Sequence, residues 1–500
     1  MSIVQPGAGL ELNAFCQLTG VGKRRQRLEQ VWSKNVLKIS NHYVSKIASA
    51  LLIIEIGILI ASAYLAAAVR FSGDTNFFRT DDQQFLPSAM AFAISMVFAM
   101  TALGMYQHDF REGFRNTLLR MMPSFLLGFM LTAFVFYMMP GFYFGRGILM
   151  LMLAFAACGI LLVRVILFKS SESRLLESRI LFLGSGPLAK ECADLASNNG
   201  GYHKYDVVGF VPMPEETPSV PSSAILPVGR SLVAIANEHN AYEIVVAVQN
   251  RRGGSFPIRE LLDCKLNGIK VIDSATFFER EACQIRVDSL QPSWFVFGSG
   301  FDQTFMRSFV KRAFDLFASL LIFIGTLPVT AITALLIWLE DRSPIFYRQE
   351  RVGEDGNTFM VLKFRSMRTD AEKEGAPIWA KTGDTRTTRV GRVIRKLRID
   401  EIPQVLNVIK GEMSFVGPRP ERPFFVEQLC EKVPYYNMRH SIKPGITGLA
   451  QVRYQYGASV EDAVQKLQYD LYYVKNNSLF LDLLILLDTL QVVLLSKGSR

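Results

Sequence analysis

The stretch LFASLLIFIGTLPVTAITALLIWL, residues 316–339, runs twenty-four residues without a charge and carries Pro328 near its middle. A hydrocarbon core of ~30 Å needs about twenty helical residues, so the stretch is long enough to cross. Lys311 and Arg312 precede it, and residues 342–398 behind it hold 14 Lys and Arg against 7 Asp and Glu. Basic segments resist translocation, so a crossing here would leave a strongly basic region on the unfavoured side. Proline in mid-helix removes a backbone hydrogen bond and kinks or breaks the helix. The pattern predicts a re-entrant helix over 313–339 that enters the cytoplasmic leaflet, bends at Pro328 and returns to the same face. The alternative is a kinked fifth span.

Working towards the N-terminus, four further apolar blocks, 47–69, 85–106, 121–140 and 148–168, each have the length of a span. Half of the 500 residues are apolar and 37 are Phe, gathered into blocks as in an integral membrane protein. Lys23, Arg24, Arg25 and Arg27 ahead of the first block, Arg111, Arg115 and Arg120 between the second and third, and Lys169 and Arg174 after the fourth put both ends of this group in the cytoplasm. Glu55 lies inside the first span, where a carboxyl must face neighbouring helices or mark a site. Sequence assigns it no role. The last apolar run, 479–495, suits a helix lying in the membrane interface.

Between the spans and the re-entrant block the texture changes. RILFLG at 179–184, DVVGFV at 206–211, EIVVAV at 243–248 and IKVID at 269–273 alternate with helical stretches, which predicts an open α/β sheet. Gly184, Gly186 and Ala189 form a Gly-x-Gly-x-x-Ala turn after the first strand, a shape that can offer N–H groups to phosphate. The second strand ends in Val-Pro-Met-Pro without an acid at its tip, so a structural or regulatory domain is the better reading than a dinucleotide site. Six scattered cysteines with no Cys-x-x-Cys pair indicate neither a disulfide framework nor a zinc site.

The chemistry concentrates in RVIRKLRIDEIPQVLNVIKGEMSFVGPRP, residues 392–420. Asp400 and Glu401 stand just before Pro403, which favours the first turn of a helix, and helix N-termini attract carboxylates and phosphates alike. Arg392, Arg395, Lys396 and Arg398 precede the pair, and Arg419 follows in a rigid Gly-Pro-Arg-Pro turn. Carboxylates among such cations suit a diphosphate and a hard metal ion, although an Asp-Glu pair is also a common helix cap and a basic helix can rest on anionic lipid.

KFRSM at 363–367, DEIPQ at 400–404, VGPRP at 416–420, KPGITG at 443–448 and DLYYV at 470–474 resemble, in order and spacing, the motifs of the bacterial polyprenyl-phosphate sugar-1-phosphate transferase family. With four spans and an α/β domain ahead, the chain resembles the large exopolysaccharide-initiating type. The resemblance covers the last 190 or so residues by motif; the first 300 match in architecture alone. It implies that Asp400 attacks the β-phosphate of a UDP-sugar, expels UMP and passes the sugar phosphate to undecaprenyl phosphate. It implies that Glu401 holds Mg²⁺, that Arg395 is catalytic, that Lys363, Arg419, Gln451 and Asp470 contact substrate, and that Pro328 breaks the re-entrant helix. Where small members carry Ser-Pro at that break, this chain has Leu327-Pro328 and lacks the hydroxyl.

The expected fold is therefore an α/β membrane protein: a cytoplasmic segment 1–46, a four-helix transmembrane bundle over 47–170, a Rossmann-like domain over 175–295, and a monotopic catalytic domain over 305–500 with its re-entrant helix. The expected place is the bacterial inner membrane with the catalytic domain on the cytoplasmic face. The resemblance implies UDP-sugar and polyprenyl phosphate as partners, and the net charge of +10 suits anionic lipids. Nucleic acid is not expected, and the sequence leaves self-association open. A nucleotide-sugar dehydratase or epimerase is disfavoured, because no tyrosine has lysine four residues on. A non-catalytic scaffold or regulator of polysaccharide assembly is the rival from another class.

Overall fold

The computed structural model describes residues 36–39, 42–71, 82–103, 105–106, 114–139, 141, 145–172, 178–197, 205–214, 216–227, 229–249, 256–287, 305–342, 344–368, 386–454 and 459–494. The basic stretch at Lys23–Arg27, and Arg111 and Arg174, on which the expected orientation partly rests, lie outside them.

β1 (Val36–Ile39) and β2 (His42–Ser45) form an antiparallel hairpin that sequence reading left undivided within the N-terminal segment. Four long helices follow: α1 (Lys46–Arg70), α2 (Asp82–Ala102), α3 (Phe114–Met138) and α4 (Arg146–Glu172). α2 stops earlier than the predicted block, and Arg115 and Arg120 belong to α3 rather than to the loop before it. All four helices feed one buried cluster, with Leu59 and Ala63 from α1, Phe92 and Met96 from α2, Phe136 from α3 and Met152 and Ile160 from α4. Their other faces leave Ile53, Met122, Leu126, Phe134 and Leu162 exposed, an outer surface fit for lipid. Small residues bring α1 and α4 close: a Cβ on Gly159 would stand 2.6 Å from the Ile58 side chain.

Glu55 is wholly buried between these helices. Arg164 of α4 pairs with it through Nε at 2.8 Å and Nη2 at 3.2 Å, and the Tyr106 hydroxyl donates to it as well. The costly carboxyl is thus partnered inside the protein by a cation that sequence reading passed over within the fourth block.

The α/β region comprises β3 (Ser178–Leu183), α5 (Pro187–Ser197), β4 (Tyr205–Val211), α6 (Leu232–Glu238), β5 (Glu243–Val246), α7 (Ile258–Leu266), β6 (Lys270–Asp273) and α8 (Ser274–Ala282). The strands are parallel in the order β4-β3-β5-β6. Alternation along β3 divides the core: Leu181 and Leu183 pack with α6 and α7, while Ile180 and Phe182 pack with α5 and α8. The strand order reverses between β3 and β5, where such sheets take ligands. Here that turn holds a side chain of its own chain. The Glu216 carboxylate, five residues beyond β4, accepts from the N–H groups of Ser185 at 2.9 Å and Gly186 at 3.3 Å. Gly184, at φ +116°, lets the backbone pass so close to Ala247 that a Cβ would meet the Ala247 carbonyl at 2.6 Å.

The third region opens with α9 (Phe305–Asp341), which continues through Pro328. β7 (Phe346–Val352) and β8 (Thr358–Phe364) form an antiparallel hairpin; then come α10 (Arg389–Lys396), a 3₁₀ turn at Ile399–Gln404, α11 (Val405–Lys410), β9 (Ser414–Val416), α12 (Pro423–Lys432), β10 (Gly445–Thr447), α13 (Leu449–Arg453), α14 (Val460–Asn476) and α15 (Leu479–Leu494). Their core gathers Val361, Val408, Phe415, Leu467, Leu471 and Tyr472, and Ile285 and Val287 from beyond α8 join it. The α/β region is fastened to α14 by polar contacts as well: Lys475 Nζ and Asn476 Nδ2 donate to the Glu279 carboxylate at 2.9 and 3.1 Å, and Ile285 N donates to the Gln468 carbonyl.

Among the described residues, α1 to α4 and α9 are the five helices long and apolar enough to cross a membrane. Removing the Glu216 carboxylate should leave two buried N–H groups without an acceptor, at a cost of about 1–3 kcal/mol. Glu216→Ala is accordingly expected to lower the thermal unfolding midpoint of the purified protein, and an unchanged midpoint would show that the contact holds nothing.

Candidate active site

Two short helices and a hairpin meet at the acid pair. Thr388 caps α10 by accepting from Gly391 N, and the helix carries Arg392 and Arg395 before it ends at Leu397. Arg398 then takes a left-handed conformation (φ 59°, ψ 18°), which ends the run and starts a new turn. Asp400 and Glu401 occupy the first turn of that 3₁₀ segment, which runs straight into α11. They therefore stand one turn ahead of an α-helix rather than in its own first turn; Pro403 sits inside the 3₁₀ segment, two residues before α11 begins.

The two acids have opposite surroundings. Lys363 Nζ of β8 lies 3.2 Å from Glu401 Oε1, Arg419 Nη2 lies 3.4 Å from the same oxygen, and Arg398 Nη1 lies 3.8 Å from Oε2. Burial alone would raise the Glu401 carboxyl, but these three cations outweigh it and hold the group down at about 2. Asp400 goes the other way. Burial and then the Glu401 charge lift it to about 6, against the pull of Lys363, Arg395 and Arg398. Adjacent carboxyls whose environments drive them apart take different tasks: one is a fixed anion, the other a carboxyl that gains its charge near neutral pH.

The cations are delivered by elements that α9 secures at both ends. At one end Arg312 donates to the Val408 and Ile409 carbonyls of α11 and Asp315 accepts from Phe415 N. At the other, Glu340 accepts from Arg389 N at 2.7 Å, opening α10. Asn407, buried in α11, donates to the Met360 carbonyl and accepts from Leu362 N, which fixes β8 and so Lys363 against the acid turn. The Gly417–Arg419 turn is held by β9 and β10, a parallel pair whose backbones almost touch: a Cβ on Gly445 would meet Gly417 N at 2.1 Å.

Of the residues singled out from sequence, Asp400, Glu401, Lys363 and Arg419 meet here, and Arg395 acts on Asp400 through its charge. Gln451 packs beside the Gly417–Gly448 backbone, with Nε2 3.5 Å from the Ile446 carbonyl. Asp470 is enclosed and pairs with Arg439 at 2.8 Å rather than with the cations of the acid turn. Pro328 lies within α9, distant in sequence from all of them. Sequence reading did not pick out Arg439 or Asn407 and gave Arg398 no partner. The left-handed turn that aims Arg398 and the long-range pairings of the other two leave no trace in local spacing.

Among the described residues no three His, Cys, Asp or Glu side chains cluster as a metal site. The acid pair thus supplies one or two oxygen donors, the number with which Mg²⁺ is held when phosphate and water complete its shell.

The bacterial sugar transferase family matches residues 306–496. The chain is 41% identical over 242 residues to the UDP-N-acetylgalactosamine-undecaprenyl-phosphate N-acetylgalactosaminephosphotransferase of Aeromonas hydrophila, covering 48% of this chain and 56% of that one. It is 41% identical over 194 residues to the undecaprenyl-phosphate glucose phosphotransferase of Komagataeibacter xylinus, covering 38% of this chain and 36% of that one. An exopolysaccharide production protein of Rhizobium leguminosarum bv. phaseoli is 39% identical over 198 residues, with 38% of this chain and 97% of the relative covered. The chain belongs to the bacterial sugar transferase family.

The opposed surroundings of the two acids have a measurable signature. Carboxyl-selective ¹³C NMR or infrared titration should find Asp400 changing charge near 6. Glu401→Gln removes a like charge and should move that titration down; Lys363→Met removes an opposite charge and should move it up. Shifts of the reverse sign would contradict the assignment.

Proposed function

We propose that this chain transfers a sugar-1-phosphate from a UDP-sugar to undecaprenyl phosphate at the cytoplasmic face of the bacterial inner membrane, the initiating step of exopolysaccharide or glycan repeat synthesis. The observation that carries the reading is the pairing of an acid that becomes anionic near neutral pH, Asp400, with one anchored among three cations, Glu401. Relatives whose names state sugar-phosphate transfer to undecaprenyl phosphate support it.

In this reading an Asp400 carboxylate oxygen attacks the β-phosphorus of the donor. The bond from that phosphorus to the bridging oxygen breaks, UMP departs with the electron pair, and an aspartyl sugar-phosphate remains. A phosphate oxygen of the polyprenyl acceptor then attacks the same phosphorus and releases the Asp400 carboxylate. Lys363, Arg395 and Arg419 spread the charge that develops on the transferring phosphate. Glu401 would hold Mg²⁺, which when bound neutralises the diphosphate charge. Gln451 is proposed as a further substrate contact. Asp400 must be ionised to attack, so kcat/KM should rise with pH through about 6 and flatten above it.

α9 is proposed to be re-entrant. Its flanks bury Asp315 and Ser319 on one side and Thr333 and Ile337 on the other, whereas no residue from 320 to 332 is fully buried. Both flanks bind backbone of the same folded unit, Val408 and Phe415 at one end and Arg389 at the other. A straight crossing would carry them to opposite sides of ~30 Å of hydrocarbon. The Thr326 hydroxyl donates to the Ile322 carbonyl at 2.7 Å, back-bonding of the kind that bends helices two residues ahead of Pro328.

Release of UMP from UDP-sugars by detergent-solubilised protein with polyprenyl phosphate tests the activity. Asp400→Asn should lower it about 1,000-fold or more, and Glu401→Gln about 100-fold or more. Activity surviving both changes would leave the scaffold reading. Cysteine placed at Asn357 should react with an impermeant thiol reagent only in opened membranes; labelling in intact cells would make α9 a fifth span.

A further inference from the structure

Arg439 touches neither acid. It lies buried beneath the Gly417–Arg419 turn, and its guanidinium is used in several directions: Nη2 lies 2.8 Å from Asp470 Oδ2 and donates to the Arg419 carbonyl at 3.0 Å, while Nη1 donates to the Tyr436 hydroxyl at 2.6 Å. Its Cζ also stands 5.1 Å from the centre of the Tyr436 ring. A buried cation of this kind is retained at a cost in desolvation unless its partners are well placed. Here one partner is an enclosed carboxylate, and another is the backbone of the residue whose side chain reaches Glu401.

We propose that Arg439, charge-balanced by Asp470 and steadied by Tyr436, is a positioning residue that fixes the Arg419 backbone so that the Arg419 guanidinium meets the donor diphosphate. Asp470 then serves the site through Arg439 and not by touching substrate. Arg419 follows Pro418 and precedes Pro420, so with Gly417 locked against Gly445 and Gly448 its carbonyl is the remaining freedom of the turn. A planar guanidinium can hold a carboxylate and a carbonyl together; an ammonium keeps the charge but not the fork.

This rests on the transferase reading, and the test separates the two. Wild-type UMP release decides the reading itself. Given that activity, Arg439→Lys should cut kcat about 10- to 100-fold with donor KM changed less than threefold, while the unfolding midpoint stays near that of the wild type. The same change in an Arg419→Ala background should cost less than threefold, because the residue it positions is gone. Equal losses in both backgrounds would overturn the proposal. A readout independent of turnover is phenylglyoxal modification followed by peptide mass spectrometry: Arg439→Lys should speed labelling of Arg419 several-fold as it swings away from Glu401, and unchanged labelling would overturn the proposal whether or not the protein proves to be a transferase. Should Arg439→Lys fail to fold, Tyr436→Phe removes one arm of the clamp without touching the buried charge pair; it should speed Arg419 labelling in the same direction, and no change would count against the proposal.

Discussion

The Glu401 carboxylate lies among Lys363, Arg398 and Arg419, three cations drawn from a strand, a left-handed turn and a glycine-locked loop. Bringing these groups together out of water is expensive, and only their mutual attraction offsets it. The consequence for the neighbour is what matters for chemistry. With Glu401 fixed as an anion, Asp400 bears the repulsion as well as its own burial, and its charge becomes available near neutral pH instead of far below it. Loss of Lys363 or Arg398 would loosen both acids at once, since each acts on Asp400 and on Glu401.

Arg398, three residues ahead of Glu401, is the local member of that cage; the other cations depend on contacts from afar. Lys363 is placed by Asn407 across the β8–α11 contact, Arg395 by a helix whose first turn is opened by Glu340, and Arg419 by backbone contact among Gly417, Gly445 and Gly448. α9 serves two purposes by one device. Its polar flanks, Arg312, Asp315 and Glu340, bind the elements on either side of the acid turn, while among the described residues its apolar middle stays largely uncovered. Lipid is the natural cover for such a surface. Under the proposed function, a water-soluble donor and an acceptor tethered by its tail would meet where the cations are, without extraction of the acceptor from the bilayer.

What the sequence made legible follows from range. The apolar blocks needed only length and composition: α1, α2 and α4 fall within four residues of them, and α3 begins seven residues early. The four parallel strands followed from alternation, and the Asp400–Glu401 pair was visible as adjacent acids in a basic run. The β1–β2 hairpin was missed because its strands are four residues each. Glu216 was missed because its partner turn lies some thirty residues back and only the folded strand order brings the two together. Arg164 was passed over because its partner, Glu55, lies on another helix more than a hundred residues away. Asp470 matched a motif, but motif spacing cannot tell a side chain that faces substrate from one that balances a buried arginine.

Under the proposed transfer Asp400, and not Glu401, forms the covalent bond. The direct measurement is acid-quenched reaction with labelled donor in the absence of acceptor, followed by proteolysis and mass spectrometric location of the sugar-phosphate. The expected result is a single modified carboxyl at Asp400, discharged on addition of polyprenyl phosphate. An adduct on Glu401 or on any other residue, or quantitative transfer with no adduct at any quench time, would contradict it.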